Sequence, residues 1–254
     1  MKRIFLISIL LCVGFSVTAQ IANEQLQQAL KLKNEWKFPE SYAIFQKLLK
    51  SDSNNVVCLF NVSFLSCKLG YRQTTEEQKQ SFYKPAEYLA KKAIVVDNNS
   101  ADAHYGYALA LARINEFASS KQKIANAKLI KTECDKATAI NPNIGGVYHI
   151  MGRWNRTIAG FGSMERFMIN SFFGGVPPGG TYEDAIKCFA KAIQLEPTYI
   201  RHQYEMAVTY YDRDKSGDIV QSKTWIERAL KCPINCIDDE QTKKECLELQ
   251  NKMN

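Results

Sequence analysis

Three histidines are the residues of this chain with the clearest potential for chemistry. His104, His149 and His202 occupy comparable places in successive helical segments, so stacking of those segments could bring their imidazoles together. Three imidazoles can hold a zinc ion that activates water for hydrolysis. The chain contains no HExxH, GxSxG, Walker or GxGxxG motif. We therefore predict no enzyme activity, no metal site and no cofactor, and a three-histidine hydrolase is the enzyme-class alternative.

A second group of polar residues is suited to binding an anion. His149, Arg153 and Arg156 are spaced by four and three residues, which places them on one face of a helix. Arginine binds carboxylate and phosphate groups through two parallel hydrogen bonds. These residues favour an extended peptide with a terminal carboxylate, or an amphiphile with an anionic head. The structural alternative is that Arg153 pairs with a carboxylate of the fold, such as Glu165 or Glu183.

The elements that must position these residues are helices arranged in a repeat. In TYEDAIKCFAKAIQLEP, the residues Ala185, Phe189 and Ala192 are spaced by four and three and are followed by Pro197. Small residues on one helix face allow a close partner helix, and proline ends the helix. The same frame recurs as Ser41, Phe45 and Leu48, as Ala86, Ala90 and Ala93, as Ile130, Cys134 and Ala137, and as Ser222, Ile226 and Ala229.

Between these frames, further helical patterns carry a small residue on the packing face, namely Ser63, Ala108, Gly152 and Ala207. No alternation of polar and apolar residues predicts strands. We predict an all-α fold, a tetratricopeptide-like α-solenoid of stacked helical hairpins. The expected helices span residues 22–35, 39–51, 56–70, 77–96, 101–116, 119–140, 144–172, 181–195, 200–214, 218–231 and 238–252.

The first helix of each predicted hairpin should line the concave face of the solenoid. On this geometry the groove has aromatic walls and a basic middle. The simpler alternative is that the aromatic side chains fill the core and that His149 is a packing residue. We expect the groove to be lined by Phe60, Phe64, Tyr105, Leu109, His149, Arg153, Arg156, Arg201, Tyr204, Val208 and Tyr211.

The N-terminus has the pattern of a secretory signal peptide. Lys2 and Arg3 precede an apolar run over residues 4–17, and small residues follow it. The run is shorter than the roughly 20 residues that a membrane span needs, and an uncleaved membrane anchor is the alternative. We predict a signal peptide over residues 1–19, a repeat domain over residues 20–254, no membrane span after cleavage, and a periplasmic or secreted location.

Charge and cysteine content bound the remaining possibilities. The formal net charge is +7, but acidic and basic residues are interleaved, so we expect no nucleic-acid partner. Cleavage before Gln20 would leave seven of the eight cysteines, an odd number that implies at least one free thiol. A local disulfide is conceivable between Cys232 and Cys236, or from one of them to Cys246. Cys58 and Cys67 are nine residues apart on one predicted helix, too far to bridge, and Cys134 and Cys188 fit core positions.

The stretch from His149 to Pro197 is similar to a known family. HIMGRW at His149–Trp154, followed by an apolar segment, a Pro-Pro turn and TYEDAIKCFAKAIQLEP, resembles the regulator of microtubule dynamics family. The resemblance covers about residues 80–252. It implies an all-helical, tetratricopeptide-like protein without catalytic activity. It also implies microtubule association in eukaryotic members, one of which tethers the endoplasmic reticulum to mitochondria and binds phospholipid through its repeats.

Together these features predict an exported, non-catalytic scaffold that recognises a peptide or protein partner through the concave groove. The alternative is a lipid or amphiphile bound in the same groove. In that alternative residues 160–180, an apolar stretch hinged by glycines, cover the ligand. The same stretch could instead fill a gap between two repeats.

Overall fold

A computed structural model describes residues 20–253, and this part of the chain forms twelve α-helices and no strand. The predicted all-α, tetratricopeptide-like solenoid is confirmed. Helix α1 covers residues 20–34. The others are α2 (Phe38–Ser51), α3 (Val56–Tyr71), α4 (Glu76–Val96), α5 (Ala101–Ile114), α6 (Ser120–Ile140), α7 (Gly145–Ala159), α8 (Ser163–Phe172), α9 (Tyr182–Leu195), α10 (Ile200–Arg213), α11 (Asp218–Lys231) and α12 (Ile237–Lys252).

The helices stack in two layers, as expected for helical hairpins. Helix α3 packs against α4 and α5, helix α5 packs against α6 and α7, and helix α7 packs against α9 and α10. Helices α1, α3, α5, α7 and α10 therefore form the inner layer, and α2, α4, α6, α9 and α11 form the outer layer. Helix α8 is inserted between the two helices of the fourth hairpin, and α12 packs on α10 and α11.

The residues of the repeat frame form the seams between paired helices. All fifteen of them are buried. Where serine replaces alanine in a seam, its hydroxyl donates to a carbonyl of the partner helix, so the buried polar atom is satisfied. These bonds run from Ser41 Oγ to the Ala29 carbonyl (2.8 Å), from Ser63 Oγ to the Ala86 carbonyl (2.8 Å) and from Ser222 Oγ to the Ala207 carbonyl (2.9 Å).

Gly152 shows why one seam needs glycine. It lies inside α7, where glycine costs about 1 kcal/mol relative to alanine. A Cβ atom at this position would lie 2.7 Å from two ring atoms of Phe189 on α9. The missing side chain therefore allows α7 and α9 to approach closely over the Phe189 ring.

The expected single helix over residues 144–172 is wrong, because the chain breaks at Gly160–Gly162. Helix α7 ends at Ala159 and α8 begins at Ser163. Gly162 adopts an extended conformation as the N-cap of α8, and its amide donates to the Glu165 carboxylate at 3.0 Å. Glycine disfavours the helix, so the two glycines end α7 here although the apolar residues continue on both sides of the break.

The second hairpin touches the last helices of the solenoid across its concave side. In a regular solenoid each repeat contacts only its neighbours, but here α3 bonds directly to α10, α12 and the turn before α10. These contacts close the stack around a central cavity. They are Lys68 Nζ to the Tyr199 hydroxyl (2.8 Å), Arg72 Nε to Asp238 Oδ1 (2.8 Å) and Arg201 Nη2 to the Tyr71 hydroxyl (2.9 Å).

The predicted signal peptide, residues 1–19, lies outside the described residues. Within residues 20–253, none of the helices combines the length and the apolar character needed to cross a membrane. All seven cysteines in this part are free thiols, including Cys232, Cys236 and Cys246. The conceivable local disulfide is therefore not formed.

Candidate functional site

A cavity of about 510 Å³ lies in the middle of the closed stack. Side chains of all five inner helices and of α12 contribute to its wall. A pocket of this size is in the range of small-ligand sites. Of the eleven residues predicted for the groove, the structure places seven along the wall: Phe60, Phe64, Tyr105, Leu109, His149, Arg153 and Arg201. Their role in ligand binding stays a prediction.

Three aromatic rings form one wall of the cavity. The ring centroids of Phe60 and Phe64 are 5.8 Å apart, and each lies 6.0 Å from the centroid of Tyr105. The rings are tilted, which is a favourable arrangement for aromatic contacts. Burial raises the pKa of Tyr105 well above its ordinary value, so its hydroxyl stays neutral. This wall can contact an apolar group of a ligand.

Two lysines lie close to the Phe64 ring. Lys33 Nζ is 5.8 Å and Lys68 Nζ is 5.5 Å from the ring centroid, and Lys68 Nζ is also 5.0 Å from the centroid of Tyr199. Lys33 donates to Asn61 Oδ1 at 2.6 Å. Burial lowers the pKa of Lys33, and the carboxylate of Asp102 partly offsets this effect.

Neither lysine has a close carboxylate partner. Among the described residues, no Asp or Glu oxygen lies within 4 Å of Lys33 Nζ or Lys68 Nζ. Each ammonium group instead contacts a neutral oxygen and aromatic faces. These contacts leave the pKa of Lys33 lowered by burial, whereas at Lys68 burial is outweighed, chiefly by Tyr199, and the pKa is raised. The pair is therefore suited to an anionic group of a ligand.

Two of the three histidines meet at the cavity. His149 Nδ1 lies 2.9 Å from His202 Nδ1, and His202 Nε2 lies 2.9 Å from a Glu196 carboxylate oxygen. Since Nε2–H of His202 donates to the carboxylate, we assign the donor of the inner bond to Nδ1–H of His149. Burial and the positive charge that His202 can carry hold the pKa of His149 well below its ordinary value. His149 is therefore a neutral, hydrogen-bonded residue.

The third histidine, His104, does not lie beside the other two, so the structure does not bring the three imidazoles together as the metal-site alternative requires. His104 Nδ1 pairs with the buried carboxylate of Glu133 at 2.5 Å and its Nε2 donates to the Asn98 carbonyl at 2.9 Å. Among residues 20–253, no cluster of three His, Cys, Asp or Glu side chains could hold a metal ion.

The predicted arginines are bound largely by the fold's own carboxylates. Arg156 does not line the cavity: its Nη2 lies 2.6 Å from Glu205 Oε2 and its Nε 3.5 Å from Asp212. Arg153 is half-exposed at the cavity and lies 3.7 Å from the same Glu205. Arg201 forms a two-pronged pair with Glu245. Arg153 therefore does pair with a carboxylate of the fold, as the structural alternative expected, but that carboxylate belongs to Glu205 rather than to Glu165 or Glu183.

Three predicted groove residues on α10 point away from the cavity. Tyr204, Val208 and Tyr211 pack against the buried cluster of α10, α11 and α12. The ring of Tyr204 lies beneath the Arg201 guanidinium, at 5.2 Å from its central carbon. Helix α12 covers this face of α10, so these side chains complete the core of the last hairpin.

The stretch expected to cover the groove does not do so. No residue of 160–180 lines the cavity. Within this stretch Ile169 is buried, and Phe161 and Val176 pack against the core cluster of α5, α6 and α7. Residues 160–180 therefore lie on the rim of the stack beside α6 and α7.

The sequence prediction missed the lysines of the cavity. Lys33 and Lys68 stand on inner helices, and Lys68 is four residues after Phe64, so helical spacing places Phe64 and Lys68 on one face of α3. That spacing was the available signal. Lysine is normally exposed, however, and Lys68 is half-buried here with its ammonium group against the turn at Tyr199.

The chain has relatives among known proteins. The profile described as "Regulator of microtubule dynamics protein 1-3" matches residues 20–254. "Regulator of microtubule dynamics protein 1" of Mus musculus is 28% identical over 260 aligned residues, covering 98% of this chain and 84% of the relative. The Homo sapiens protein of the same name is 31% identical over 179 residues, which cover 70% of this chain and 55% of the relative. The match to the Bos taurus protein of the same name covers 66% of that relative's length.

Solved structures show the same fold. A thermophilic tetratricopeptide protein of Thermus thermophilus, TTC0263, superposes with a TM-score of 0.63 at 14% identity, covering 89% of this chain and 99% of that one. At this identity the likeness shows the fold alone.

The relatives correct one prediction and confirm another. They are animal proteins named for regulating microtubules, which points away from a periplasmic or secreted location, so that prediction is wrong. The resemblance drawn from HIMGRW and the repeat unit is confirmed over a longer stretch than expected. This chain belongs to the regulator of microtubule dynamics family.

Proposed function

We propose that the chain is a non-catalytic scaffold that binds an extended peptide segment of a protein partner in the central cavity. An acidic group of that peptide lies between Lys33 and Lys68, and an apolar side chain lies against Phe60, Phe64 and Tyr105. The observation that carries this proposal is the pair of half-buried ammonium groups that lie within 6 Å of one ring centroid without a close carboxylate.

Electrostatics supports an anionic ligand group at this place. Removing a charge from water is unfavourable unless an opposite charge or several hydrogen bonds replace the water. Burial lowers the pKa of Lys33, as expected for an ammonium group that lacks such a partner. A carboxylate between the two lysines would replace water and reverse this effect, so binding should take up protons where Lys33 is partly neutral.

The family name adds a source for the partner. The relatives are named as regulators of microtubule dynamics, and we propose that the partner belongs to the microtubule system. Microtubule co-sedimentation of the full chain tests this source. We expect binding that falls with salt and that is weakened by replacing Lys33 and Lys68 with methionine.

A direct test uses two labelled peptides, oligoglutamate and oligolysine, each with one phenylalanine, and fluorescence anisotropy. We expect the acidic peptide alone to bind. The variant Lys33→Met with Lys68→Met should bind the acidic peptide at least about tenfold more weakly, because each substitution removes one contact between an ammonium group and a peptide carboxylate. The matched control is Lys31→Met, whose side chain is 77% exposed on the same helix as Lys33; it should bind as the unmodified chain does.

Two results would contradict the proposal. One is equal affinity of the double variant and the Lys31→Met control for the acidic peptide. The other is a lipid that native mass spectrometry finds bound to the purified chain and that neither peptide displaces. The second result would favour the amphiphile alternative, in which the lysines hold an anionic head group.

A further inference from the structure

Trp36 has a backbone conformation that tryptophan rarely adopts. It lies in the turn between α1 and α2 with a φ of 60°, and the Lys37 amide donates to the Leu32 carbonyl across this turn at 2.9 Å. Glycine is the usual residue at such a helix end, because a side chain is strained in the left-handed region. Strained residues of this kind cluster at ligand clamps, where the surrounding structure holds them in place. The contacts of the Trp36 ring must therefore compensate for the strain.

The Trp36 ring makes its main contact across the concave side of the stack. It stacks on the ring of Tyr199, the N-cap of α10, with the centroids 5.6 Å apart and the ring planes inclined by 14°. The Phe38 ring lies 5.7 Å away on the near side. Trp36 and Tyr199 both line the cavity. The pair therefore joins the turn after α1 to the turn before α10 at the cavity wall.

Side chains alone make the connection across the concave side. Within residues 20–253, close helix packing runs between neighbouring elements, and α3 does not pack closely on α10 or α12. The connection consists of the ring stack and the polar contacts of Lys68, Arg72 and Arg201 described above. Such contacts break at a lower free energy than buried helix seams do. This side of the cavity can therefore open while the helix pairs stay packed.

The Tyr199 hydroxyl has a hydrogen that the fold leaves unused. The hydroxyl oxygen accepts from Lys68 Nζ at 2.8 Å, and an ammonium group cannot accept in return. Among the described residues, the hydroxyl hydrogen has no acceptor within bonding distance. Burial opposes the charge of Lys68, but Tyr199 outweighs this effect, so the pKa of Lys68 is raised and its ammonium group stays charged. An N–H donor and an O–H donor thus lie side by side, and one carboxylate can accept from both.

We propose that Trp36 and Tyr199 form a clasp that closes over the bound acidic segment, and that the Tyr199 hydroxyl donates to the same carboxylate as Lys68. This inference rests on the proposed function and names the residues that retain the ligand. The bound carboxylate connects α3 to the turn before α10, so it adds a contact across the concave side. Binding therefore stabilises the closed clasp, and weakening the clasp releases the peptide.

Tyr199→Phe tests the hydroxyl, because phenylalanine keeps the ring that stacks on Trp36. With the labelled oligoglutamate peptide we expect at least about tenfold weaker binding, since a hydrogen bond to a charged group is lost. The matched control is Tyr204→Phe, which removes a hydroxyl from a ring of α10 that packs away from the cavity. It should bind as the unmodified chain does. If the hydroxyl only anchors Lys68, its removal frees the ammonium group, and unchanged or tighter binding would overturn the inference.

Trp36→Gly tests the clasp, because glycine accepts the conformation of this turn without strain but removes the ring. Stopped-flow displacement should show dissociation of the labelled peptide that is at least about tenfold faster, with a smaller change in the association rate. The matched control is Asp214→Gly at the exposed end of α10, where φ is 53°. It relieves the same backbone conformation away from the cavity and should leave dissociation unchanged. Equal dissociation rates of the two variants would overturn the inference, and circular dichroism verifies that both keep their helical content.

Two comparisons separate the clasp from the peptide site itself. If Lys33→Met with Lys68→Met loses binding while Tyr199→Phe and Tyr204→Phe bind alike, the clasp is overturned and the peptide site stands. If the lysine double variant binds as the unmodified chain does, the proposed function fails and the clasp fails with it. An oligoglutamine peptide with one phenylalanine reports on the carboxylate, because Tyr199→Phe should not change its weak binding. An equal loss for both peptides would show that the hydroxyl does not contact a carboxylate, which also overturns the inference.

Discussion

Replacing Arg156 with alanine should destabilise the fold strongly, and this follows from the surroundings of Glu205. The Glu205 side chain is 6% exposed, and Arg156, which is 15% exposed, binds it at 2.6 Å and also donates to the Glu205 backbone carbonyl at 3.1 Å. In Arg156→Ala the buried carboxylate would keep one ion-pair contact, to Arg153 at 3.7 Å, and the more distant charge of Arg201.

The expected loss can be bounded. Removing one partner of a fully buried ion pair costs about 3–5 kcal/mol in the free energy of unfolding. Because Arg156 is partly exposed and Arg153 remains nearby, we expect about 2–3 kcal/mol. For a chain of this size that corresponds to a decrease in Tm of about 4–12 °C. Arg153→Ala removes a half-exposed, longer contact and should cost less than about 1 kcal/mol.

The pH dependence gives the same prediction a second readout. Burial favours the neutral form of Glu205, but the charges of Arg156, Arg153 and Arg201 outweigh it and hold its pKa below the ordinary value of 4.5. A carboxyl with a depressed pKa in the folded state stabilises above its unfolded pKa. That stabilisation is lost as pH falls from 4.5 through the folded pKa. The difference between Arg156→Ala and the unmodified chain should therefore shrink below pH 4.5.

Urea unfolding followed by circular dichroism, at neutral pH and at several lower values, measures both effects. Glu205→Gln provides the matched variant, since it keeps the shape and removes the charge that Arg156 neutralises. In a double-mutant cycle the two substitutions should couple by about 1–3 kcal/mol. The reasoning is refuted if Arg156→Ala costs no more than Arg153→Ala at neutral pH, or if its cost is the same at every pH.

Two further predictions concern the core. Gly152→Ala places a Cβ atom 2.7 Å from the Phe189 ring and should cost about 1–3 kcal/mol in urea unfolding. Gly162→Ala, with nothing closer than 4.0 Å, replaces only a glycine N-cap and should cost less than about 1 kcal/mol; a cost for Gly162→Ala larger than that for Gly152→Ala would contradict the packing account. Burial raises the pKa of the Cys67 thiol to about 12, so mass spectrometry should find Cys67 unmodified by a thiol reagent in the native chain and modified after unfolding in urea; rapid native labelling would contradict its burial.

The fold was predictable because the information is local. Frames such as Ala185, Phe189 and Ala192 place small residues on one helix face, and their burial follows directly from close helix pairing. The break at Gly160–Gly162 was missed because apolar residues continue on both sides of it, and periodicity alone does not register a bend of this kind.

The cavity was predictable only in part, because its composition depends on contacts between distant repeats. The rule that first helices face inward located Phe60, Phe64 and Tyr105. Lys68 contacts Tyr199, which is 131 residues away in the sequence. The outward packing of Tyr204 depends on α12, which comes later in the chain. Helical spacing within one element cannot reveal either contact.

Zero-length carbodiimide coupling is the most direct test of a ligand carboxylate between Lys33 and Lys68. The reagent joins a carboxylate to a lysine in contact with it, forming an amide with loss of water, and mass spectrometry identifies the lysine. With the bound oligoglutamate peptide, the account predicts coupling at Lys33 or Lys68 and little at the exposed Lys31 and Lys84. Coupling at Lys31 and Lys84 with none at the cavity lysines would contradict the central claim.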